Sequence, residues 1–337
     1  MSKIIFLGTD LHGSPTELAS KTVIQLKSLI KDYKIVSIEH RKSLRSQKNT
    51  WILSRLVKNS RIRRIFQGLI LPLYLAFARI CGYNKILFFW VANSKYHRFL
   101  FKFLKLIGFN LVFTIISGED TNIPVLKACD LIVCQSPRMQ MHVQRVISKS
   151  KVRLIRPAVD THLFKPSSKK SGIIIPSVPY SLGDFKDRGI DKILSFLEKT
   201  SLPATMIFRS KEAYDYVKSQ KIKNLKLINK DLSDKELSEI MAKSKIMPLV
   251  YTKSPDMPLS AIEGMASGCA IICTEHMGLV DIIKDEKAGI VLKSEKGLFK
   301  ALSKISNNPR YNKNARKAAE KYFDIKNLNK YLELIRK

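Results

Sequence analysis

Pro255-Asp256-Met257-Pro258-Leu259-Ser260-Ala261-Ile262-Glu263-Gly264-Met265-Ala266-Ser267-Gly268-Cys269-Ala270-Ile271-Ile272 reads as a loop, a helix and a strand. Pro258 suits the first helical position, where its missing N–H is no loss. Leu259, Ile262, Met265 and Ala266 recur at helical spacing and form an apolar face. Gly268 supplies the left-handed residue that commonly ends a helix. Ala270-Ile271-Ile272 then opens a buried strand. Glu263 stands about one turn inside the helix among mostly apolar neighbours. The helix start offers free backbone N–H groups and a partial positive charge, which suit a diphosphate. Glu263 is placed to accept hydrogen bonds from sugar hydroxyls; the plainer alternative is an ordinary helix with one exposed Glu.

The stretch resembles the signature of glycosyltransferase family 4: a Glu, seven residues, then a second Glu followed by Ala-Met-Ala-x-Gly. Glu263 falls on the second Glu. Pro255 stands where the first is expected, and Asp256 is the nearest carboxylate. A second likeness lies in Pro157-Ala158-Val159-Asp160-Thr161-His162-Leu163-Phe164-Lys165-Pro166. The family writes that segment as Pro-x-Gly-Val-Asp-x-x-x-Phe-x-Pro. Cys129-Asp130-Leu131-Ile132-Val133-Cys134-Gln135-Ser136 resembles the family's strand that ends in Ser.

The resemblance implies a GT-B architecture: two Rossmann-like α/β domains facing each other across a cleft. It implies an acceptor-side domain over residues 1–166, which its basic charge makes membrane-facing, a nucleotide-sugar donor domain over 167–310, and C-terminal helices over 311–337 that cross back. It also implies a retaining hexosyltransferase-type enzyme. In the family an Arg and a Lys-Gly pair bind the donor diphosphate. Arg188-Gly189 fits the Lys-Gly site, and Lys186 is close by. Ser177 or Pro179 stands where the Arg is expected. The catalytic candidates are therefore Arg188, Lys186 and Asp256. Glu263, Leu259, Ser260, Met257 and Ser177 are the donor-binding candidates, with the amides of Leu259 and Ser260 facing the diphosphate. Donor identity, or activity itself, turns on the missing first Glu.

On the acceptor side, Ile4 to Leu7 reads as the first strand, followed by a loop through His12 and Gly13 and a helix over Pro15 to Ile30. This is the start of a Rossmann-like unit, although the glycine spacing does not match Gly-x-Gly-x-x-Gly. Ser117-Gly118-Glu119-Asp120 follows the strand Asn110 to Ile116 at its C-terminal end, where ligands of open α/β sheets collect. His12, Gly13, Glu119 and Asp120 are the acceptor-side candidates; plain polar turns are the alternative. Family members often carry a His near Ser117, which this chain lacks.

The chain has 337 residues and a formal net charge of +32. Residues 1–165 hold 28 Lys and Arg against 8 Asp and Glu, a net +20. Between Glu39 and Glu119 there are 15 basic residues and no acidic one. Such a field favours an anionic partner. In the helix predicted over Ser94 to Ile107, Lys95, Arg98, Lys102 and Lys105 share one face, and Phe99, Phe101, Phe103, Leu104, Leu106 and Ile107 cover much of the rest. That pattern suits a membrane interface, or a core helix with a solvated basic face. The apolar run Leu69 to Ile80 contains Pro72 and Arg79 and is shorter than the ~20 residues a spanning helix needs.

Five scattered cysteines make neither a disulfide framework nor a Cys-x-x-Cys zinc pair. No metal-ligand cluster is visible, and no cofactor beyond a nucleotide-sugar substrate is expected. Reduced cysteines and an N-terminus without a secretory pattern predict a cytoplasmic protein, peripheral on the cytoplasmic face of a membrane. The expected partners are a nucleotide-sugar donor, a lipid-linked or glycan acceptor and an anionic membrane surface. Two other classes stay open: a catalytically degenerate GT-B protein that binds sugar nucleotide or glycan, and a basic nucleic-acid-binding protein, for which no binding module is recognisable.

Overall fold

A computed structural model describes residues 3–9, 11, 18–38, 50–52, 60–89, 95–116, 122–176, 182–208, 210–252 and 257–336. Two compact units result, one of residues 1–157 with 326–337, the other of residues 158–325. These bounds differ from the expected 166 and 311 for a physical reason. Val159 pairs in parallel with Asp324, its N–H donating to the Phe323 carbonyl at 2.7 Å. Phe164 lies in the core of the second unit. The helix Arg310–Tyr322 packs on the helix Leu259–Ala266, so only the last helix, Leu328–Arg336, joins the first unit.

The first unit's sheet runs through β1 (Lys3–Thr9), β2 (Tyr33–Ile38), β3 (Thr50–Ile52), β4 (Tyr83–Phe89), β5 (Asn110–Thr114), β6 (Leu131–Cys134) and β7 (Val152–Leu154). They lie in the order β3-β2-β1-β4-β5-β6-β7, all neighbours parallel. The second unit has β8 (Ser171–Ile175), β9 (Ala204–Phe208), β10 (Leu225–Asn229), β11 (Ser244–Leu249), β12 (Ala270–Thr274) and β13 (Gly289–Leu292). Their order is β10-β9-β8-β11-β12-β13, again parallel. Both orders are doubly wound, and the architecture is GT-B.

Parallel sheets are covered on both faces, so their central strands are apolar throughout. Ile4 to Leu7 are fully buried, as are Ile86 to Phe89 and Ala270 to Cys273. Burial pushes the Cys269 thiol up to about 11 and Cys273 up to about 12. Neither is a thiolate nucleophile near neutral pH.

Composition alone makes Ser167 to Gly172 a polar linker, and the structure corrects that. Ser171 and Gly172 begin β8. The Lys170 ammonium donates to the carbonyls of Ala242 at 2.6 Å and Ser267 at 2.7 Å. It thereby closes the C-terminal ends of the helices Asp234–Lys243 and Leu259–Ala266, where carbonyls lack helical partners.

Candidate active site at the switch point of the second sheet

Strand order reverses between β8 and β11, since β9 and β10 build one flank and β12 and β13 the other. In open α/β sheets, ligands bind beyond the carboxyl ends of the strands at such a reversal. The chain leaving β8 leads to Arg188. The chain leaving β11 leads to the helix that carries Glu263.

That helix spans Leu259–Ala266. Pro258 occupies the capping position rather than the first helical one, with extended backbone (φ −65°, ψ 124°). Its carbonyl accepts from the amides of Ala261 and Ile262. The amides of Leu259 and Ser260 come before the first intrahelical bonds and point out of the helix start. At the other end the Gly268 amide donates to Met265 and the Cys269 amide to Gly264, a Schellman pair. Gly268 has φ +74°, the left-handed geometry that motif requires.

Glu263 is only 3% exposed, and it is engaged in interactions inside the protein. The exposed-Glu alternative is therefore excluded. A buried carboxylate carries a desolvation cost that polar or charged neighbours must offset. Met257 and Leu259 turn their side chains into the core, at 4% and 7% exposure. Of these two residues only the backbone is offered to a ligand. Ser260 is half-buried.

Arg188 is partly buried, and its guanidinium lies 5.9 Å from the ring centre of Tyr251, just past β11. Burial raises the Tyr251 phenol above its ordinary value of 10.0, against the pull of that cation. The backbone fixes the same juxtaposition. The Thr252 amide donates to the Asp187 carbonyl at 2.9 Å, and Thr274 Oγ1 donates to the Tyr251 carbonyl. Gly189 follows with φ +60°, and any Cβ there would collide with the Val250 carbonyl. The segments leaving β8, β11 and β12 are thus stitched together beside Arg188.

The Lys186 carbonyl joins this arrangement, accepting from the Gly189 amide at 3.1 Å and from Thr252 Oγ1 at 3.5 Å. Lys186 itself is exposed and lines a hollow of about 440 Å³ with Phe185, Asp191, Leu194 and Tyr216. Asp256, Ser177, His12, Gly13, Glu119 and Asp120 lie outside the described residues. Tyr251, Thr252 and Thr274 were not singled out from sequence. The one signal for them was position, at the ends of strands beside the sheet's reversal. Among the described residues no cluster of His, Cys, Asp and Glu could hold a metal ion.

Residues 209–322 match the sequence model of the family described as "Glycosyl transferases group 1". That match contains the Leu259–Ala266 helix. No curated protein matches the chain. Solved structures resemble it over nearly its whole length. A sucrose-phosphate synthase from Thermosynechococcus elongatus superposes with a TM-score of 0.73 at 15% identity, covering 99% of this chain and 98% of that one. Anabaena Alr3699/HepE in complex with UDP and glucose gives 0.74 at 15% identity, covering 99% of each chain. WaaG, a glycosyltransferase involved in lipopolysaccharide biosynthesis, gives 0.71 at 12% identity, covering 98% of each.

Proposed function

We propose that the protein is a retaining, metal-independent glycosyltransferase that moves a sugar, a hexose by resemblance, from a nucleotide-sugar donor to a lipid-linked or other glycan acceptor at a membrane surface. The observation that carries this reading is the buried Glu263 inside a helix that starts at the same sheet edge as Arg188. The group 1 match over that helix supports it. So does the likeness to a protein crystallised with UDP and with UDP-glucose.

In the proposed reaction the bond from the anomeric carbon to the diphosphate oxygen breaks, a bond to the acceptor oxygen forms, and the acceptor's hydroxyl proton passes to the leaving diphosphate. Negative charge grows on the leaving diphosphate. Arg188 and the amides of Leu259 and Ser260 stabilise it, each well-placed donor contributing about 3–4 kcal/mol to the transition state. Glu263 accepts from the ribose hydroxyls. Asp256 holds the donor sugar in place of the family's first Glu.

A second reading has its own observation: Pro255 replaces that Glu, and the family's first diphosphate Arg is missing. On that reading the protein binds a nucleotide sugar without transferring it. A thermal-shift and hydrolysis screen against UDP-, GDP- and ADP-sugars separates the two, using wild type and Glu263→Ala. Transferase function predicts stabilisation by one donor, slow hydrolysis, and loss of both in the variant. Stabilisation with no turnover, even with acceptors supplied, favours the binding protein. No response to any donor overturns both.

A further inference from the structure

The helix Ser60–Ile80 seats Leu71, Leu75 and Ala78 in the first unit's core. Its opposite face is exposed: Leu69, Leu73, Phe77 and Ile80 are 66%, 70%, 61% and 84% accessible. Their spacing of four, four and three residues puts them in one stripe. The helix Lys95–Leu106 lies alongside, with Arg79 donating to the Ile107 carbonyl at 3.2 Å. That second helix presents Phe99 and Leu106, 61% and 85% exposed, among exposed Lys95, Arg98 and Lys102. Single exposed apolar residues are ordinary on a protein surface; a stripe of four on one helix, with two more on the helix packed against it, is not.

Charge selects the occupant. Residues 40–118, which include both helices, contain no acidic residue and 15 basic ones. A second copy docking through this face would set that acid-free span against itself. Nucleic acid would match the charge, but Leu69, Leu73, Ile80 and Leu106 have no ring on which a base could stack. An anionic lipid surface meets both requirements, with phosphates for the cations and acyl chains for the stripe. Among the described residues no helix is long and apolar enough to cross a membrane.

We propose that the helices Ser60–Ile80 and Lys95–Leu106 form a docking face for an anionic bilayer, with Leu69, Leu73, Phe77 and Phe99 entering the headgroup region. The face gives the proposed transferase access to a lipid-linked acceptor, and its purpose rests on that reading. The contact itself is measured without turnover.

The test is flotation of the full-length protein with vesicles of phosphatidylcholine alone or phosphatidylcholine mixed with phosphatidylglycerol. Wild type should float with the mixed vesicles and be weakened, not released, by added salt. Leu73→Ser combined with Phe77→Ser changes two exposed positions and should leave the thermal midpoint in place. Its partition into mixed vesicles should fall about tenfold or more, because two large side chains no longer leave water. Arg98→Glu with Lys102→Glu should weaken binding to the mixed vesicles most strongly at low salt. Equal recovery with both vesicle types at low salt overturns the proposal. So does unchanged flotation of the serine variant, or a dimer of the wild type that the serine variant dissolves. A protein that floats as expected but responds to no nucleotide sugar refutes the transferase reading and leaves this one standing.

Discussion

The Arg188 guanidinium rests 5.9 Å from the Tyr251 ring centre, and its charge pulls against the burial that raises the Tyr251 phenol. The two residues come from the loops after β8 and β11, which border the point where strand order reverses. A cation held this way is oriented before any ligand arrives. Arg188→Ala should lower turnover of the best donor by about 10²–10³, with the thermal midpoint little changed. Arg188→Lys keeps the charge but loses the planar fork, and should recover part of the loss. Tyr251→Phe keeps the ring and removes the hydroxyl; it should lower kcat while KM for the donor moves less. Steady-state kinetics on the three variants decides this. Unchanged turnover in Arg188→Ala would remove Arg188 from the mechanism.

Gly189 holds that arrangement from the backbone. At φ +60° a side chain is strained, and its Cβ would meet the Val250 carbonyl, which cannot swing aside as a flexible side chain does. Gly189→Ala should destabilise the protein by roughly 1–3 kcal/mol and should reduce donor turnover as well, because Arg188 precedes it directly. Denaturant unfolding gives the first quantity and kinetics at a temperature where the variant stays folded gives the second. A fully stable variant would mean that the loop relaxes without strain.

The sequence made the sheets legible because buried parallel strands are continuous apolar runs, as at Ile4 to Leu7 and Ile271 to Cys273. Ser233 with Glu236 three residues on encodes a helix cap, and in the structure the Ser233 hydroxyl accepts from the Glu236 amide while the Glu236 carboxylate reaches back. β3 and β7 were not expected, since three residues show no period. The helix Ser60–Ile80 runs through Pro72, a residue that argues locally against one. Glu263 was read as a candidate, but its burial depends on strands and helices distant in sequence. The Tyr251 contact to Arg188 has the same origin and left no local trace. Lys170 was misread because composition reports polarity and cannot report which carbonyls an ammonium will find.

Lys170 yields a prediction about stability alone. Its ammonium joins the ends of two helices, and burial lowers its pKa from the ordinary 10.5. Lys170→Met keeps the stem's packing, strands the Ser267 carbonyl without its donor and leaves the Ala242 carbonyl with the Ser167 amide alone. A buried acceptor stranded in this way costs roughly 1–3 kcal/mol. The unfolding midpoint should drop clearly, while the donor-induced thermal shift, measured from the new baseline, should persist. Loss of that shift with stability retained would place Lys170 in the site instead.

The first unit carries its own titration. His97 is 8% exposed in the helix Lys95–Leu106, and burial holds its pKa below the ordinary 6.5. In the unfolded chain the same imidazole takes up a proton as pH falls through 6.5, so below that value the unfolded state binds more protons and gains on the native state. Stability should therefore be flat above neutrality and decline as pH falls from 6.5 toward the lowered native value. The Glu236 carboxylate, held down to about 2 by Lys230 and then by Ser233, acts in a lower window, losing its contribution only as pH falls below its ordinary 4.5. Thermal midpoints between pH 7 and pH 5 thus report on His97 with little from Glu236. His97→Gln, which cannot take up the proton, should flatten the profile in that interval even if its midpoint is lower throughout. A variant whose midpoint falls with pH as steeply as wild type would show that the acid sensitivity arises elsewhere.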